Sequence, residues 1–180
     1  VNEVIQDPSG VLWIATNNGV SSFDGIKFQN YTTTSGLAEN HCTSIFCDVD
    51  GNIWVGHQGS GLSRIERDTI IRYNEESGLS NNEVHDIIQT EEGTIWVATF
   101  GGISIYDGSA WRILTTDDGL GFNNIQVLEQ YDDGSIWAGS YGAGINIISG
   151  SEIKQLHMGD GLVNNYVTSL MSHDGKMLIG

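Results

Sequence analysis

The stretch DGNIWVGHQGSGL, residues 50–62, decides the fold because the chain repeats it. Related stretches are SGVLWIATNNGV from Ser9, EGTIWVATFGGI from Glu92 and DGSIWAGSYGAGI from Asp133. A shorter copy, DGKMLIG, starts at Asp174 and has Leu178 where the others have tryptophan. A stretch that recurs at a fixed period indicates a fold built from stacked copies of one structural unit.

Two sequence markers share the same period. The first is a tryptophan that recurs at spacings of 41, 42 and 41 residues, at Trp13, Trp54, Trp96 and Trp137. The second is the dipeptide Gly-Leu, at spacings of 42, 41 and 42 residues, starting at Gly36, Gly78, Gly119 and Gly161. In the second unit, the strand-like runs CTSIFCD, NIWVGH, LSRIER and TIIRYNE fill one period and leave no room for a helix. Four short strands joined by tight turns in about 41 residues are typical of one propeller blade.

These patterns predict an all-β chain of β-propeller blades, each a four-stranded antiparallel meander whose strands we label A to D. We expect one propeller segment over residues 1–180, with units at residues 1–40, 41–82, 83–123 and 124–165 and a partial unit at 166–180. The four tryptophans of strand B are expected to be structural, because each is followed two residues later by a small residue, a pairing that suits interlocked blades. Four full blades and a half blade leave one apolar blade face uncovered. We therefore expect the rest of a longer chain, or a second copy, to complete the ring.

The composition limits the partners of the chain. Its net charge is −16, and an acidic surface repels nucleic-acid phosphates, so we expect no nucleic-acid partner. It has no run of ~18 apolar residues, so we expect no membrane span in this segment.

Cys42 and Cys47 would lie ~16 Å apart on one extended strand and on opposite faces, which is too far for a disulfide. We therefore expect two free, buried thiols.

The sequence of residues 78–108, GLSNNEVHDIIQTEEGTIWVATFGGISIYDG, resembles the two-component regulator propeller repeat, and the resemblance extends over the whole chain. The units depart from the repeat where Thr90 and Tyr131 stand in place of a turn aspartate, and where His57 stands in place of threonine. The resemblance implies a bacterial repeat protein that acts in signal transduction as a non-catalytic sensor domain. It also implies a periplasmic or extracellular location and ligand binding, with glycans as one class of ligand.

The sequence leaves two other functions open. Propeller repeats of this kind also occur in surface or secretion-associated proteins, where the propeller is structural or binds another protein. Streptogramin lyases have related repeats, and they are enzymes with a metal-assisted His and Glu site. The five histidines of this chain, however, stand at different positions in their units, whereas only residues at equivalent positions converge on a propeller axis. We therefore expect no catalytic residues, no metal site and no cofactor.

What is known of propellers implies that the B–C loops and the D–A loops share one face, where ligands bind. Residues of these loops that differ between units are the candidates for ligand contact. In the B–C loops they are Asn17, Asn18, His57, Gln58, Phe100 and Tyr141, and in the D–A loops they are Glu39, His41, Phe122 and Tyr166. Aromatic rings and amides suit sugar rings and suit a protein surface equally well. We therefore expect a small-molecule or oligosaccharide ligand, or a protein partner.

An asparagine follows the Gly-Leu dipeptide at one fixed offset in each full unit, at Asn40, Asn82, Asn123 and Asn165. Asparagine side chains stabilise turns by accepting hydrogen bonds from nearby backbone groups. Because the residue is the same in every unit, we expect it to have a structural role rather than to contact a ligand.

Overall fold

The computed structural model describes residues 1–67 and 69–180, and over these residues the fold is all-β apart from three-residue 3-10 turns. Within this described part, four four-stranded antiparallel sheets each have the order A-B-C-D, and one hairpin has two strands. We call the sheets blades 1 to 4 and the hairpin the half blade. The strands are β1 (Glu3–Gln6), β2 (Leu12–Thr16), β3 (Gly19–Phe23) and β4 (Phe28–Tyr31) in blade 1; β5 (Cys42–Cys47), β6 (Ile53–His57), β7 (Leu62–Glu66) and β8 (Thr69–Tyr73) in blade 2; β9 (Val84–Gln89), β10 (Ile95–Thr99), β11 (Gly102–Tyr106) and β12 (Trp111–Leu114) in blade 3; β13 (Ile125–Gln130), β14 (Ile136–Ser140), β15 (Ile145–Ser149) and β16 (Glu152–Leu156) in blade 4; and β17 (Leu170–His173) and β18 (Lys176–Ile179) in the half blade. The prediction of an all-β fold of propeller blades is confirmed.

The hydrophobic core lies between blades rather than inside any one of them. Over the described residues, three clusters of buried side chains each join two neighbouring blades. Blades 1 and 2 share Ala15, Val20, Leu37, Cys42, Ile45, Ile53, Val55 and Ile65; blades 2 and 3 share Trp54, Leu62, Leu79, Val84, Ile87, Ile95 and Val97; blades 3 and 4 share Trp96, Ala98, Ile103, Ile105, Leu114, Leu120, Ile125, Leu128, Ile136, Ala138 and Ile148. A sheet covered on both faces is apolar on both faces, which is why strand B reads as a nearly continuous apolar run.

The small residue two positions after each strand-B tryptophan makes room for the next blade. In blade 2 this residue is Gly56, and a Cβ atom placed on it would lie 2.6 Å from Cγ1 of Val84 in blade 3. In blade 4 it is Gly139, where a Cβ atom would lie 2.7 Å from Cγ1 of Val167. Real Cβ atoms do not approach other atoms so closely, so a larger side chain here would push the blades apart.

Strand D places apolar side chains on both faces of its blade. In β8, Ile70 and Tyr73 stand three residues apart and therefore point to opposite faces. The ring of Tyr73 stacks on Trp54 of the same blade, with 5.6 Å between the ring centroids. Ile70 faces the preceding blade, where a Cβ atom on Gly36 would lie 3.5 Å from the Ile70 Cβ. Because of the three-residue spacing, Ile70 packs at the interface with the preceding blade and Tyr73 packs at the interface with the following blade.

The Gly-Leu dipeptide ends the short turn between strand D and the next strand A. Gly78 has a φ of 113°, a conformation that L side chains rarely adopt. A Cβ atom at Gly78 would also lie 2.9 Å from the Cβ of Trp111 in blade 3. The leucine that follows, Leu79, is 3% exposed and anchors the connection in the core. The dipeptide therefore repeats because one residue allows the turn and the other fixes it to the next blade.

The A–B turn is tied to the strand-B tryptophan in blades 1 and 2. The indole nitrogen of Trp13 donates to Asp7 over 2.9 Å, and that of Trp54 donates to Asp48 over the same distance. Burial raises the pKa of Asp7, but the hydrogen bonds that its carboxylate accepts outweigh burial, and the pKa lies below its ordinary value. One carboxylate therefore holds the turn and satisfies a tryptophan that faces the core.

In blades 3 and 4 the turn aspartate is absent, so the strand-B tryptophan has other neighbours. In blade 3, Thr90 stands in its place, and Trp96 donates to the hydroxyl of Thr94 at 3.0 Å. In blade 4, the ring of Tyr131 lies 5.9 Å from the ring of Trp137. Among the described residues, the buried indole nitrogen of Trp137 has no hydrogen-bond partner. The two departures seen in the sequence therefore change the local polar contacts but not the blade.

Both cysteines are free thiols. Cys42 is fully buried, and burial raises the pKa of its thiol to about 11. The expectation that Cys47 is also buried is wrong, because the end of β5 leaves that side chain partly exposed.

In the part of the chain that the structure describes, no helix combines the length and the apolar character that crossing a membrane requires.

Candidate ligand-binding face

Hydrogen bonds join the B–C loops to the D–A loops and so form one continuous face. The amide of Gly19, which directly follows the B–C loop of blade 1, donates to the carbonyl of Asn40 in the following D–A loop at 2.7 Å. The amide of Gly61 donates in the same way to Asn82 at 2.8 Å. A B–C loop also bonds to the D–A connection before its own blade, as the amide of Tyr141 does to the carbonyl of Asn124 at 2.9 Å. We call this surface the loop face.

The repeated asparagines hold the D–A turns from within. Their side-chain oxygens accept hydrogen bonds from backbone amides seven residues earlier, at 2.8 to 2.9 Å: Asn40 from Thr33, Asn82 from Glu75, Asn123 from Thr116 and Asn165 from Met158. A side chain that accepts from a turn amide in each blade has the geometry of a turn brace. These four side chains therefore hold the D–A turns of the loop face in place.

Aromatic side chains mark the part of the loop face that lies over blades 3 and 4. Tyr141 and Tyr166 come together, with ring centroids 4.7 Å apart and planes inclined at 60°, and a backbone bridge joins the two residues. Each is 53% exposed. Phe100 and Phe122 are also exposed, at 52% and 44%. Exposed rings held by rigid loops can receive an apolar or ring-shaped surface.

Polar side chains mark the part of the loop face over blades 1 and 2. Asn17 accepts a hydrogen bond of 2.7 Å from the side chain of Asn2. A carboxylate oxygen of Glu39 accepts from the amide of Gly59 in the B–C loop of blade 2 at 2.9 Å. Three further candidates are on the same loops: Asn18 and Gln58 are exposed, and His41 is partly buried. These predicted residues therefore lie on the loops of the loop face, and the hydrogen bond from Gly59 holds the side chain of Glu39 in place.

His57 is not on the loop face, and the prediction that it contacts a ligand is wrong. Its side chain is 0% exposed, and its Nε2 lies 2.8 Å from the hydroxyl of Ser63. Burial lowers the pKa of the imidazole to about 4. The equivalent residue in blade 3, Thr99, accepts the amide of Gly101 and so holds the B–C loop from below. Sequence reasoning counted His57 as a loop residue, but it is the last residue of β6.

Two carboxylates that the sequence analysis missed connect the A strands of neighbouring blades. A carboxylate oxygen of Glu3 accepts from the amide of Ile45 at 2.8 Å, and one of Asp86 accepts from the amide of Leu128 at 2.8 Å. Burial raises the pKa of both carboxyl groups, and the charge of Asp86 raises that of Glu3 further. The other blades have Ser44 and Val127 at the equivalent positions, so no repeated pattern marked these acids.

The described residues contain no group of three or more His, Cys, Asp or Glu side chains that could hold a metal ion. His85 instead bonds to strand backbone, with its Nδ1 2.6 Å from the carbonyl oxygen of Ile125. His157 accepts from the amide of Gly159 at the start of a 3-10 turn. These histidines have structural contacts in separate blades.

Solved structures similar to this chain share its fold. The extracellular domain assigned to the hybrid two component system BT3049 of B. thetaiotaomicron superposes with a TM-score of 0.91 at 24% identity, over 100% of this chain and 26% of that one. Virginiamycin B lyase from Staphylococcus aureus gives 0.75 at 16% identity, over 98% of this chain and 61% of that one. PorZ, a surface component of the type-IX secretion system of Porphyromonas gingivalis, gives 0.74 at 15%, over 98% and 30%. At these identities the likeness shows the fold alone.

The chain spans 26% of the length of the first of these structures. No curated protein matches the sequence. The family model of the two component regulator propeller matches residues 36–59 and 78–101, which include the Gly-Leu turn, strand A and the strand-B tryptophan of two successive repeats. Two successive repeats of the chain therefore match the two component regulator propeller family.

Proposed function

We propose that this chain is part of the extracytoplasmic sensing propeller of a bacterial two-component-type receptor, and that it binds its ligand without catalysis. The observation that carries the proposal is the exposed Tyr141–Tyr166 pair, held on a braced loop face in a chain with regulator propeller repeats. Its likeness to the extracellular domain of a hybrid two component system supports a periplasmic or extracellular location. The candidates for ligand contact are the exposed or partly buried residues of the loop face.

We propose an oligosaccharide as the ligand. Aromatic faces pack against the C–H surfaces of sugar rings, and amides and carboxylates pair with hydroxyl groups. The loop face offers both kinds of group, with the tyrosine pair over blade 4 and Asn17, Gln58 and Glu39 over blades 1 and 2. Sugars are uncharged in most glycans, so the negative charge of the chain does not oppose their binding.

The experiment is a calorimetric screen of the full-length protein against soluble oligosaccharides of plant, host and microbial origin. The proposal expects one class to bind and a double variant, Tyr141→Ala with Tyr166→Ala, to lose that binding. The matched control is Phe28→Ala, which removes a ring that is 61% exposed on strand D and away from the loop face. Binding that survives the double variant would place the ligand elsewhere. A protein that ignores every sugar but binds a protein partner through the tyrosines would favour an interaction propeller instead.

We also propose that the rest of a longer chain, or a second copy, completes the ring. Large apolar side chains of the half blade are exposed, among them Met171 at 57% and Leu178 at 53%, whereas the equivalent Trp54 inside the stack is 1% exposed. A further blade would cover them. Light scattering of the 180-residue chain tests this. A stable monomer with no tendency to associate would contradict the proposal, whereas a defined dimer or aggregation would support it.

A further inference from the structure

The residue directly before strand A lies on the loop face and differs between blades. It is Glu83 in blade 3 and Asn124 in blade 4. The amide of Phe100, in the B–C loop of blade 3, donates to the carbonyl of Glu83 at 3.0 Å. The amide of Tyr141 donates in the same way to the carbonyl of Asn124 at 2.9 Å. On the loop face, Glu83 therefore lies next to Phe100, and Asn124 lies next to Tyr141.

His85, in strand A of blade 3, reaches across the junction to blade 4. Its Nδ1 lies 2.6 Å from the carbonyl oxygen of Ile125. A carbonyl oxygen can only accept a hydrogen bond, so Nδ1 carries a proton. The side-chain nitrogen of Gln126 lies 3.0 Å from the same Nδ1 and donates to the side chain of Asn124. At the two preceding junctions the equivalent side chains also donate to the equivalent carbonyl oxygens, Asn2 to Cys42 at 2.6 Å and Thr43 to Val84 at 2.7 Å.

Two hydrogen-bond acceptors face each other on the other side of the imidazole ring. Nε2 of His85 lies 3.3 Å from a carboxylate oxygen of Glu83. With the proton on Nδ1, a neutral imidazole has a lone pair on Nε2, and a carboxylate has no hydrogen to donate. A proton on Nε2 removes this conflict, and so does an N–H donor of a bound molecule. The side chain of Glu83 is 45% exposed, so a ligand on the loop face can reach it.

The loops of the loop face contain no lysine or arginine. The B–C loops are residues 17–18, 58–61, 100–101 and 141–144, the D–A loops are residues 32–41, 74–83, 115–124 and 157–169, and the structure describes all of them. None of the 7 Lys and Arg residues of the chain falls in these ranges, whereas seven acids do: Glu39, Glu75, Glu76, Glu83, Asp117, Asp118 and Asp160. A surface of one charge attracts ligands of the opposite charge. The loop face therefore favours a ligand that brings a positive charge.

Exposed aromatic rings lie on both sides of the facing acceptors. Phe100 is 52% exposed and is bonded through its amide to Glu83. Tyr141 is 53% exposed and belongs to the next blade, on the side to which His85 reaches. Aromatic faces pack against the C–H surfaces of sugar rings, and they also attract cations. These rings therefore suit a sugar that carries a positive group.

We propose that the loop face binds an oligosaccharide with a primary ammonium group, and that this group lies between the Glu83 carboxylate and Nε2 of His85. An ammonium nitrogen has three N–H donors and no acceptor, so it can donate to both atoms at once. Its hydrogen bond to the carboxylate is charge-assisted and is therefore stronger than one from a hydroxyl group. This inference rests on the proposed function, because it names the class of oligosaccharide that the loop face takes.

Three tetrasaccharides with the same β-1,4-linked backbone serve as probes, because they differ only at C2 of each sugar. Glucosamine tetrasaccharide has an ammonium group there, N-acetylglucosamine tetrasaccharide has an acetamido group, and cellotetraose has a hydroxyl group. Titration calorimetry of the full-length protein at pH 7 gives the three affinities. We expect the glucosamine tetrasaccharide to bind about tenfold more tightly than either of the others.

The outcomes separate this inference from the proposed function. Equal binding of the three probes, or tighter binding of an uncharged one, would overturn the ammonium site and leave an oligosaccharide-binding propeller. The same holds if the glucosamine tetrasaccharide does not bind but another oligosaccharide does. If no oligosaccharide binds at all, the proposed function fails and the ammonium site fails with it.

Glu83→Gln tests the carboxylate because it removes the charge and keeps the size of the side chain. It should weaken binding of the glucosamine tetrasaccharide about tenfold and leave that of cellotetraose unchanged. The matched control is Glu76→Gln, which changes the net charge equally at an exposed position of the same D–A loop. The control should leave both affinities unchanged. If the two variants weaken binding alike, the effect is one of overall charge and the proposal fails.

A metal ion would also satisfy two facing acceptors, and a chelator distinguishes it from an ammonium group. Binding of the glucosamine tetrasaccharide should be the same with and without EDTA, because the ammonium group itself donates to Glu83 and His85. Loss of this binding in EDTA would assign the two acceptors to a metal ion and overturn the proposal.

Discussion

The indole nitrogen of Trp54 donates a hydrogen bond of 2.9 Å to the carboxylate of Asp48, which stands six residues earlier in the chain. The same carboxylate accepts from the amide of Asn52 at 2.8 Å and from its side chain at 2.9 Å. It is only 5% exposed. Asp48 therefore connects the A–B turn to the side chain that fills the interface of blades 2 and 3. The repeated aspartate and the repeated tryptophan form one structural device.

Asp48→Ala should lower the free energy of unfolding by about 2–3 kcal/mol, because it leaves the buried indole N–H and a turn amide without acceptors. The control is Asp50→Ala in the same turn, whose side chain is exposed and should cost less than about 0.5 kcal/mol. Urea denaturation of both variants measures the difference. Equal stabilities would show that the Asp48 hydrogen bonds contribute nothing net.

Trp54→Ala should lower the free energy of unfolding by ~3–5 kcal/mol, because the side chain is 1% exposed and its removal opens a cavity between two blades. Phe28→Ala should cost less than about 1 kcal/mol, since Phe28 is 61% exposed. Chemical denaturation with the same probe for both variants gives the comparison. A loss below about 1 kcal/mol for Trp54→Ala would contradict its role as the interface side chain.

His57 should make stability depend on pH in a defined window. Its folded pKa of about 4 lies below the ordinary value of 6.5, so between these values the unfolded chain binds more protons than the folded one. The contribution of His57 to stability is therefore complete above pH 6.5 and is lost as the pH falls toward 4. The slope that one proton can cause is at most about 1.4 kcal/mol per pH unit.

The measurement is the unfolding free energy at pH 5 and pH 7 for the protein and for His57→Thr, which introduces the residue found at positions 16 and 99. The difference between the two pH values should be smaller in the variant. His173→Thr is the control, because His173 is exposed and should leave the difference unchanged. A variant with an unaltered pH dependence would indicate that His57 is not buried as a neutral imidazole.

Tyr141→Ala and Tyr166→Ala should each weaken binding of the loop-face ligand about tenfold, because each removes half of one aromatic surface. The two rings touch, so the double variant should lose less than the sum of the single losses in free energy. Titration calorimetry with the oligosaccharide found in the screen provides all four affinities. Strict additivity would indicate that the ligand contacts the rings separately.

The sequence predicted the blades because their packing repeats in space. Every blade junction needs a large side chain beside a small one, a turn that is anchored in the core, and a brace for that turn. Residues of the same type therefore recur at a fixed period, as Trp54 with Gly56, Gly78 with Leu79, and Asn82 do in blade 2 and its connection to blade 3. The acids Glu3 and Asp86 connect A strands as firmly, yet they occur in only some units and left no trace. His57 was wrongly predicted to be a loop residue because it is the last residue of β6, and a sequence does not show at which residue a strand ends.

The sequence by itself determined the all-β fold, the blade period and the turns, since these depend on local backbone geometry and on apolar side chains that recur along the chain. Only the tertiary structure decided which side chains meet. The Tyr141–Tyr166 pair forms because loops from two consecutive units close on each other. Contacts between residues that are distant in the chain depend on how the blades stack, and the order of residues in the sequence does not show which residues the stacking brings together.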